Sequence, residues 1–247
     1  NAGVIDADGR IAYFTSGELP LREDLERLGR PDGVPPFLVR DGTHAFRNEW
    51  LRQKRRPADQ SIPYRILPFD EMPNARDPES GYIANGNNDP VGTTLDNDPV
   101  NELRPTGGVY YLNVGYEGGF RAGRIARLLD EALAGGGRIS LDDMRRIQAN
   151  NQMLDAEALV PFVVDAYEAG RAEGAPPALA ALAADPRVAE AVARLASWQF
   201  GAPTGLREGY DPGDDPENLP EPSEAEVRAS VAATIYSVWR SRVMANT

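Results

Sequence analysis

The sequence has no cysteine, one histidine (His44) and one lysine (Lys54) in 247 residues. The lack of cysteine excludes disulfides, thiolate metal sites and a cysteine nucleophile. A lone histidine excludes multi-histidine metal centres and leaves at most one imidazole base. Positive charge is also scarce: 26 basic residues face 38 acidic ones, a formal charge of −12. Such a surface repels phosphate, which argues against nucleic acid as a main partner. No apolar run approaches the roughly 20 residues a spanning helix needs, so no membrane span is expected. Of the 26 basic residues, 25 are arginine. Beside abundant Ala and Gly this reads as codon bias from a GC-rich genome rather than as 25 anion sites. What remains is a globular chain, 41 % hydrophobic and 8 % aromatic, long enough to bury a core without staples. It begins Asn1-Ala2-Gly3, with no initiator Met and no signal-like segment. The expectation is a processed or excised piece of a longer protein.

Strand and turn signals fill the first hundred residues. Val4-Ile5, the turn Asp6-Ala7-Asp8-Gly9 and the apolar run Ile11-Ala12-Tyr13-Phe14 read as a hairpin. Pro35-Pro36-Phe37-Leu38-Val39 suggests a short extended piece. Pro57, Pro63, Pro68, Pro73 and Pro78 exclude a long helix between Arg56 and Glu79. Gly81-Tyr82-Ile83-Ala84 reads as a strand end running into the Asn/Gly/Asp/Pro turn 85–90. Helical periodicity takes over near Gly119. Ile125, Leu128, Leu129 and Leu133 share one face of a helix from Arg121 to Ala134, closed by Gly135-Gly136-Gly137. Ser140 with Asp143 forms a capping box before Leu141, Met144 and Ile147. A further helix spans about Asp155 to Arg171, with a kink or restart at Pro161. Asp185-Pro186 marks an N-cap with proline at N1, leading into Val188, Val192, Leu195 and Trp198. Ser223 with Glu226 opens a last helix through Trp239 to about Met244. Strands first and helices after give an α+β class. The expected organisation is a strand- and loop-rich region over residues 1–117, a helical region over 118–200, a linker over 201–222 and a C-terminal helix over 223–247.

Several clusters invite chemistry. Asp6/Asp8, Asp96/Asp98 and Asp211/Asp214/Asp215 offer oxygen ligands for calcium, but none has EF-hand spacing, and turn and linker chemistry accounts for all three. The basic run Arg52-Gln53-Lys54-Arg55-Arg56, near Phe46 and Trp50, reads as a solvated loop or a contact with an acidic partner chain. On a chain of charge −12 that outweighs a nucleic-acid face. His44 sits in a polar loop with no G-x-S-x-G nucleophile motif to serve, and is expected at the surface. The asparagine turn after Ile83 has two readings. A side-chain amide there can donate outward as an oxyanion donor does, or simply stabilise the turn.

The surrounding residues add to the first reading. Asn74-Ala75-Arg76-Asp77-Pro78-Glu79-Ser80-Gly81-Tyr82-Ile83-Ala84-Asn85-Gly86-Asn87-Asn88-Asp89-Pro90 resembles a penicillin acylase segment of the form N-P-x-x-G-Y-I-x-N-x-N-N-x-P. Gly118 to Leu129 resembles the family's next landmark, an Arg opening a helix of R-x-x-R/E-I-x-x-L-L type. Asp6 to Tyr13 resembles its D-x-D-G-x-I-x-Y hairpin. Ile139 to Pro161 resembles its helix pair, with Leu195 to Trp198 and Ile235 to Trp239 fitting later helices. The landmarks occur in the family's order over nearly the whole chain.

The resemblance implies an N-terminal-nucleophile amidohydrolase, made as a precursor, self-cleaved and exported to the periplasm or medium. It implies an αββα-type subunit, of which this chain would be an internal segment of the large one. Its partners would be the small subunit, the rest of the large subunit and a small-molecule acyl amide: penicillin-, cephalosporin-, acyl-lactone- or lipopeptide-like. In the family a freed N-terminal residue, normally Ser, attacks the amide with its own α-amino group as base. Alignment on the N-x-N-N segment places the oxyanion asparagine at Asn87, and the helix-opening arginine at Arg121. Arg121 would position the asparagine loop or neutralise a substrate carboxylate, although Arg124 and Arg127 share its helix. No cofactor is required. Calcium occurs in some relatives, with ligands mostly outside this segment. Two departures stand out. Gly86 replaces the Trp of penicillin G acylases, so the expectation is an opened acyl pocket without phenylacetyl preference. Asn1 has neither hydroxyl nor thiol, so the nucleophile is expected outside this chain. The alternative is a stand-alone, non-catalytic binding or interaction module derived from that fold.

Overall fold

A computed structural model describes residues 1–26, 50–92, 101–113, 115–204 and 221–246. The chain forms two compact units, Asn1–Ala122 and Gly123–Thr247, with strands confined to the first and helices dominating the second. The architecture is α+β.

In the first unit, β1 (Ala2–Ile5), β2 (Ile11–Phe14) and β3 (Asn74–Arg76) make a three-stranded antiparallel sheet in that order. Val4 pairs with Ala12, and Ala12 with Arg76. The hairpin turn is built as its residues dictate. Asp6 Oδ1 accepts from the Asp8 and Arg10 amides at 3.0 and 2.9 Å, and Gly9 takes φ 81°, where a side chain is disfavoured. Asp77 locks β3 onto β2, donating to Ile11 O and accepting from Ile11 N, both at 2.9 Å. The proline-rich stretch beyond carries no helix longer than the 3₁₀ turn Phe69–Glu71. Its apolar residues Leu67 and Met72 bury with Leu21 into a small core flanked by Leu19, Leu51, Tyr110 and Leu112. Tyr82 to Asn85 belong to no strand. The expected strand end is an irregular segment, followed by the isolated bridge between Asn88 and Glu117.

A buried charge cluster braces this unit. Arg104 donates to Glu71 at 2.6 Å and also to Glu26 of α1 (Glu23–Glu26). Glu71 further accepts from Thr106 N at 2.8 Å, and its carbonyl accepts from the Tyr110 hydroxyl at 2.9 Å. Burial pushes the Glu71 carboxyl up, but the Thr106 hydrogen bonds and the Arg104 charge outweigh it and hold the group below its ordinary value.

Helix α2 (Phe120–Leu133) ends where expected, with Gly135 and Gly136 at φ 69° and 81°. Ser140 and Asp143 close a reciprocal capping box on α3 (Leu141–Gln148). Helix α4 (Leu154–Arg171) is continuous through Pro161, so of the expected kink or restart the restart does not occur. Proline removes one hydrogen bond there, but Val160 is buried in a core that fixes both halves. Helix α5 (Pro177–Ala183) was not expected from the sequence, although Pro177 at its first turn and an Ala-rich run suit it. Its approach to α4 depends on Gly170, where a Cβ would lie 3.0 Å from Ala183 Cβ and 3.1 Å from Leu179 O. Asp185 caps α6 (Pro186–Ala196) by accepting from Arg187 N at 2.8 Å. Ser223 and Glu226 cap α7 (Glu224–Asn246). Ala156 and Val160 of α4, Leu195 of α6, Trp198, and Ala232, Ala233 and Tyr236 of α7 form the core of this unit. No described helix is long and apolar enough to cross a membrane.

Candidate active site

The first unit holds an open cleft of about 520 Å³, walled by Tyr13 of β2, Thr15 just after it, Asn74, the Ile83–Pro90 loop, Leu112 and Tyr116. Amides and phenols supply much of its surface. The asparagine loop is folded by its own side chains: Asn87 N donates to Asn85 Oδ1 at 2.8 Å, and Gly86 N to Asn88 Oδ1 at 3.2 Å. These contacts hold Asn87 at φ 60°, the left-handed region that Asn tolerates better than most side-chain-bearing residues. Asn87 O accepts from Glu117 N at 2.9 Å, which joins the loop to the segment entering α2.

Arg121, in the first turn of α2, completes the assembly. Its Nη2 donates to Gly86 O at 2.8 Å and to Asn87 Oδ1 at 2.7 Å. A guanidinium has donors only, so the amide oxygen must face it. The Asn87 NH₂ is then the face left over, and no described residue accepts from it. The charge-assisted bond to the oxygen polarises the amide and strengthens its N–H donors. Glu117 lies 3.7 Å from Arg121 across a half-exposed i,i+4 pair.

The neighbouring arginines are committed elsewhere. Arg124 donates to Asn150 Oδ1, and Arg127 to both Glu157 carboxylate oxygens, each at 2.9 Å. Of the three arginines on this helix, Arg121 alone joins the asparagine loop.

The family model for penicillin amidase matches residues 1–247. The chain belongs to the penicillin amidase family. No curated protein matches it. Membership in a family of amide hydrolases gives the Asn87 cleft its chemical context.

In this penicillin amidase family member, Gly86 is not among the residues that line the cleft. It is buried, and a Cβ built there would lie 2.7 Å from Ala122 N and 3.1 Å from Ala122 Cα. That direction leads into the first turn of α2. The expected loss of an aromatic wall is therefore replaced by a different role: close approach of loop and helix.

Tyr116 was not singled out by the sequence, which gives no local signal for it. Its ring lines the cleft, and its hydroxyl is buried without a partner. Burial, then the charge of Asp89, pushes its pKa up to about 12, so it is a neutral phenol at ordinary pH. Glu117 could have been noticed from its i,i+4 spacing to Arg121.

The other candidates fall differently. The Asp6 and Asp8 carboxylates serve the hairpin, the latter 3.6 Å from Arg10. In the basic run, Arg56 donates to Gln60 O at 2.7 Å and Arg52 sits 5.4 Å over the Tyr64 ring, whose edge meets exposed Trp50. His44, Phe46, residues 35–39, Asp96, Asp98, Asp211, Asp214 and Asp215 lie outside the described residues. Among the described residues no group of three His, Cys, Asp or Glu side chains could hold a metal ion.

Proposed function

We propose that this chain supplies the oxyanion side of an acylase that hydrolyses a linear acyl amide by N-terminal-nucleophile transfer. The observation that carries the reading is the division of the Asn87 amide: its oxygen is held by Arg121, and its NH₂ remains for the cleft. In the proposed reaction the nucleophile is the hydroxyl of an N-terminal residue outside these 247 residues. Its own α-amino group takes the proton as the oxygen attacks the substrate carbonyl. The carbonyl oxygen becomes an oxyanion, and Asn87 Nδ2–H donates to it. Collapse of the adduct expels the amine, which takes up the proton, and leaves an acyl ester. Water then cleaves the ester, releasing the carboxylic acid and restoring the hydroxyl. Arg121 acts as a positioning residue, because its contacts are to Asn87 and Gly86 rather than to reacting atoms.

The donor is useful because it is fixed before charge develops, so it costs no reorganisation in the transition state. Loss of one such donor typically lowers turnover by about 10²–10³. The acylase assembled with its remaining parts should therefore lose kcat by that factor in Asn87→Ala, with KM changed less than about threefold. An unchanged kcat would overturn the assignment of Asn87. The nucleophile is tested separately, with the 247-residue chain alone and a chromogenic acyl-anilide. Turnover without any other chain would refute an external nucleophile, and a folded, inactive chain that no acylase component activates would favour the binding module.

A further inference from the structure

We propose that the Asn87 cleft selects its substrate by charge. It takes a neutral or cationic acyl group and disfavours one that ends in a carboxylate, and Asp89 sets this preference. The preference rests on the acylase reading above, whose substrate class it narrows. Among the described residues that line the cleft, six are asparagines, and most of the others are phenols, aliphatics and prolines. Asp89 carries the one side-chain charge among them, and no Arg, Lys or His side chain joins it. Two arginines adjoin the lining residues, and both are directed elsewhere. Arg76 follows the lining residue Ala75 on β3, where successive side chains point to opposite faces. Its guanidinium sits 5.2 Å over the ring of Phe14. Phe14 in turn alternates with Tyr13, whose hydroxyl accepts from Asn85 Nδ2 on the cleft side at 3.4 Å. Arg121 gives Nη2 to Gly86 O and Asn87 Oδ1, has Glu117 at 3.7 Å, and is not a lining residue. A substrate carboxylate in this cleft therefore meets no described guanidinium, so the second role the sequence allowed Arg121 falls away.

Asp89 is placed to act on whatever enters. Its Oδ1 accepts from Val91 N at 3.0 Å and Gly92 N at 3.1 Å. These neutral donors fix the carboxylate at the end of the asparagine loop without cancelling its charge. The charge is felt in the cleft wall: after burial, it is the main cause that raises the Tyr116 hydroxyl. Asp89 stands two residues from Asn87, at most about 7 Å between Cα atoms. A cleft of about 520 Å³ is itself roughly 8 Å across, no more than one Debye length at physiological salt. An acyl carboxylate in that space meets a like charge through little screening. An ammonium there meets an opposite charge and the rings of Tyr13 and Tyr116, which attract cations. A neutral acyl group incurs neither effect.

The test uses the assembled acylase and three chromogenic anilides matched in length: glutaryl, its neutral terminal amide, and aminopentanoyl. Relative to the amide, kcat/KM should be about tenfold lower for glutaryl and up to about fivefold higher for aminopentanoyl. Asp89→Asn keeps an acceptor for the Val91 and Gly92 amides, and should bring glutaryl within about threefold of its amide. High salt should narrow the same gap in the unsubstituted enzyme. Glutaryl turned over as fast as its amide overturns the proposal, as does a gap that Asp89→Asn leaves intact. So does a penalty that follows a carboxylate placed on the anilide ring instead of on the acyl group. Should Asp89→Asn fail to fold, the three substrates and the salt comparison on the unsubstituted enzyme decide. The acylase reading fails on a separate result, an unchanged kcat for the neutral substrate in Asn87→Ala. A flat charge series with kcat still lost in Asn87→Ala would sink the charge preference alone.

Discussion

Adding one methyl group at Gly86 should damage the site more than its size suggests. In Gly86→Ala the new Cβ would stand 2.7 Å from Ala122 N, 3.1 Å from its Cα and 3.2 Å from its Cβ. Comfortable contact begins near 3.4 Å, so loop and helix must separate by several tenths of an ångström. The obstructing atoms are mainly backbone in the first turn of α2, which cannot rotate away as a side-chain tip can. Overpacking of this kind costs typically about 1–3 kcal/mol. For a domain of this size, 2 kcal/mol corresponds to a fall in Tm of about 6 °C.

The effect on chemistry follows from the same displacement. Gly86 O and Asn87 Oδ1 both receive Arg121 Nη2, at 2.8 and 2.7 Å. Moving the loop from the helix by most of an ångström lengthens both bonds past useful range and releases the amide from its fixed orientation. A misplacement of about 1 Å at a catalytic group costs on the order of 10²-fold. In the assembled acylase, Gly86→Ala should therefore lower kcat by about 10–10² for an acyl-anilide while KM holds within about threefold. Thermal unfolding measured alongside separates local misplacement from global loss. A variant with Tm within about 1 °C and kcat within about twofold of the parent would show that Gly86 is not a spacer. A change in KM with kcat intact would instead restore the pocket-wall reading.

Arg121→Lys retains the charge but replaces a planar fork by a point donor; kcat should fall about tenfold with KM steady, and parental kcat would remove Arg121 from the positioning role. Glu71 has a depressed pKa in the folded state, so its contribution is complete above its ordinary value of 4.5 and is lost as pH falls through the lower folded value. The Tm of the parent should therefore drop more steeply below about pH 4.5 than that of Glu71→Gln. At neutral pH, Glu71→Gln should itself cost about 1–3 kcal/mol, because Arg104 keeps Glu26 but loses its charged partner Glu71; matching acid limbs would refute the assignment. In the second unit, Tyr236 is fully buried beside Trp198 and Trp239, and its hydroxyl has no hydrogen-bond partner. Chemical unfolding should show Tyr236→Phe within about 0.5 kcal/mol of the parent and Tyr236→Ala about 3–5 kcal/mol weaker. A large loss in Tyr236→Phe would show that its hydroxyl hydrogen-bonds the neighbouring Asp155; burial and then that carboxylate already raise the hydroxyl's pKa.

The elements legible in the sequence are those decided by neighbours along the chain. The Asp6–Gly9 turn, the Ser140 and Ser223 capping boxes and the Asp185-Pro186 cap each need only three or four adjacent residues, and all formed. The restart allowed at Pro161 did not occur, because local proline chemistry lost to packing on both sides of it. The irregular 82–85 segment misled for the opposite reason: its apolar residues resemble a strand, but its backbone has no ladder to join. Asn87 and Arg121 could be aligned by resemblance, yet spacing could not choose among Arg121, Arg124 and Arg127. That choice depends on where Asn150 and Glu157 stand, and each draws one of the other two away.

Gly86 shows why a substitution within a motif cannot be read from its side chain alone. A glycine in place of a large aromatic suggests vacant volume, and the inference to a wider pocket assumes that the missing side chain had pointed there. Here the Cα–Cβ direction runs into α2, so the position governs how closely the loop can approach the helix. That approach lets one guanidinium nitrogen reach a backbone carbonyl and a side-chain amide together. The amide is thereby oriented, and only an oriented amide is worth the two to three orders of magnitude that an oxyanion donor supplies. Under the proposed function, acyl preference is therefore to be sought in the residues that do line the cleft, among them Leu112, Tyr13 and Tyr116. Substitution there should shift the preference among acyl chains, whereas substitution at Gly86 should lower turnover for all of them alike.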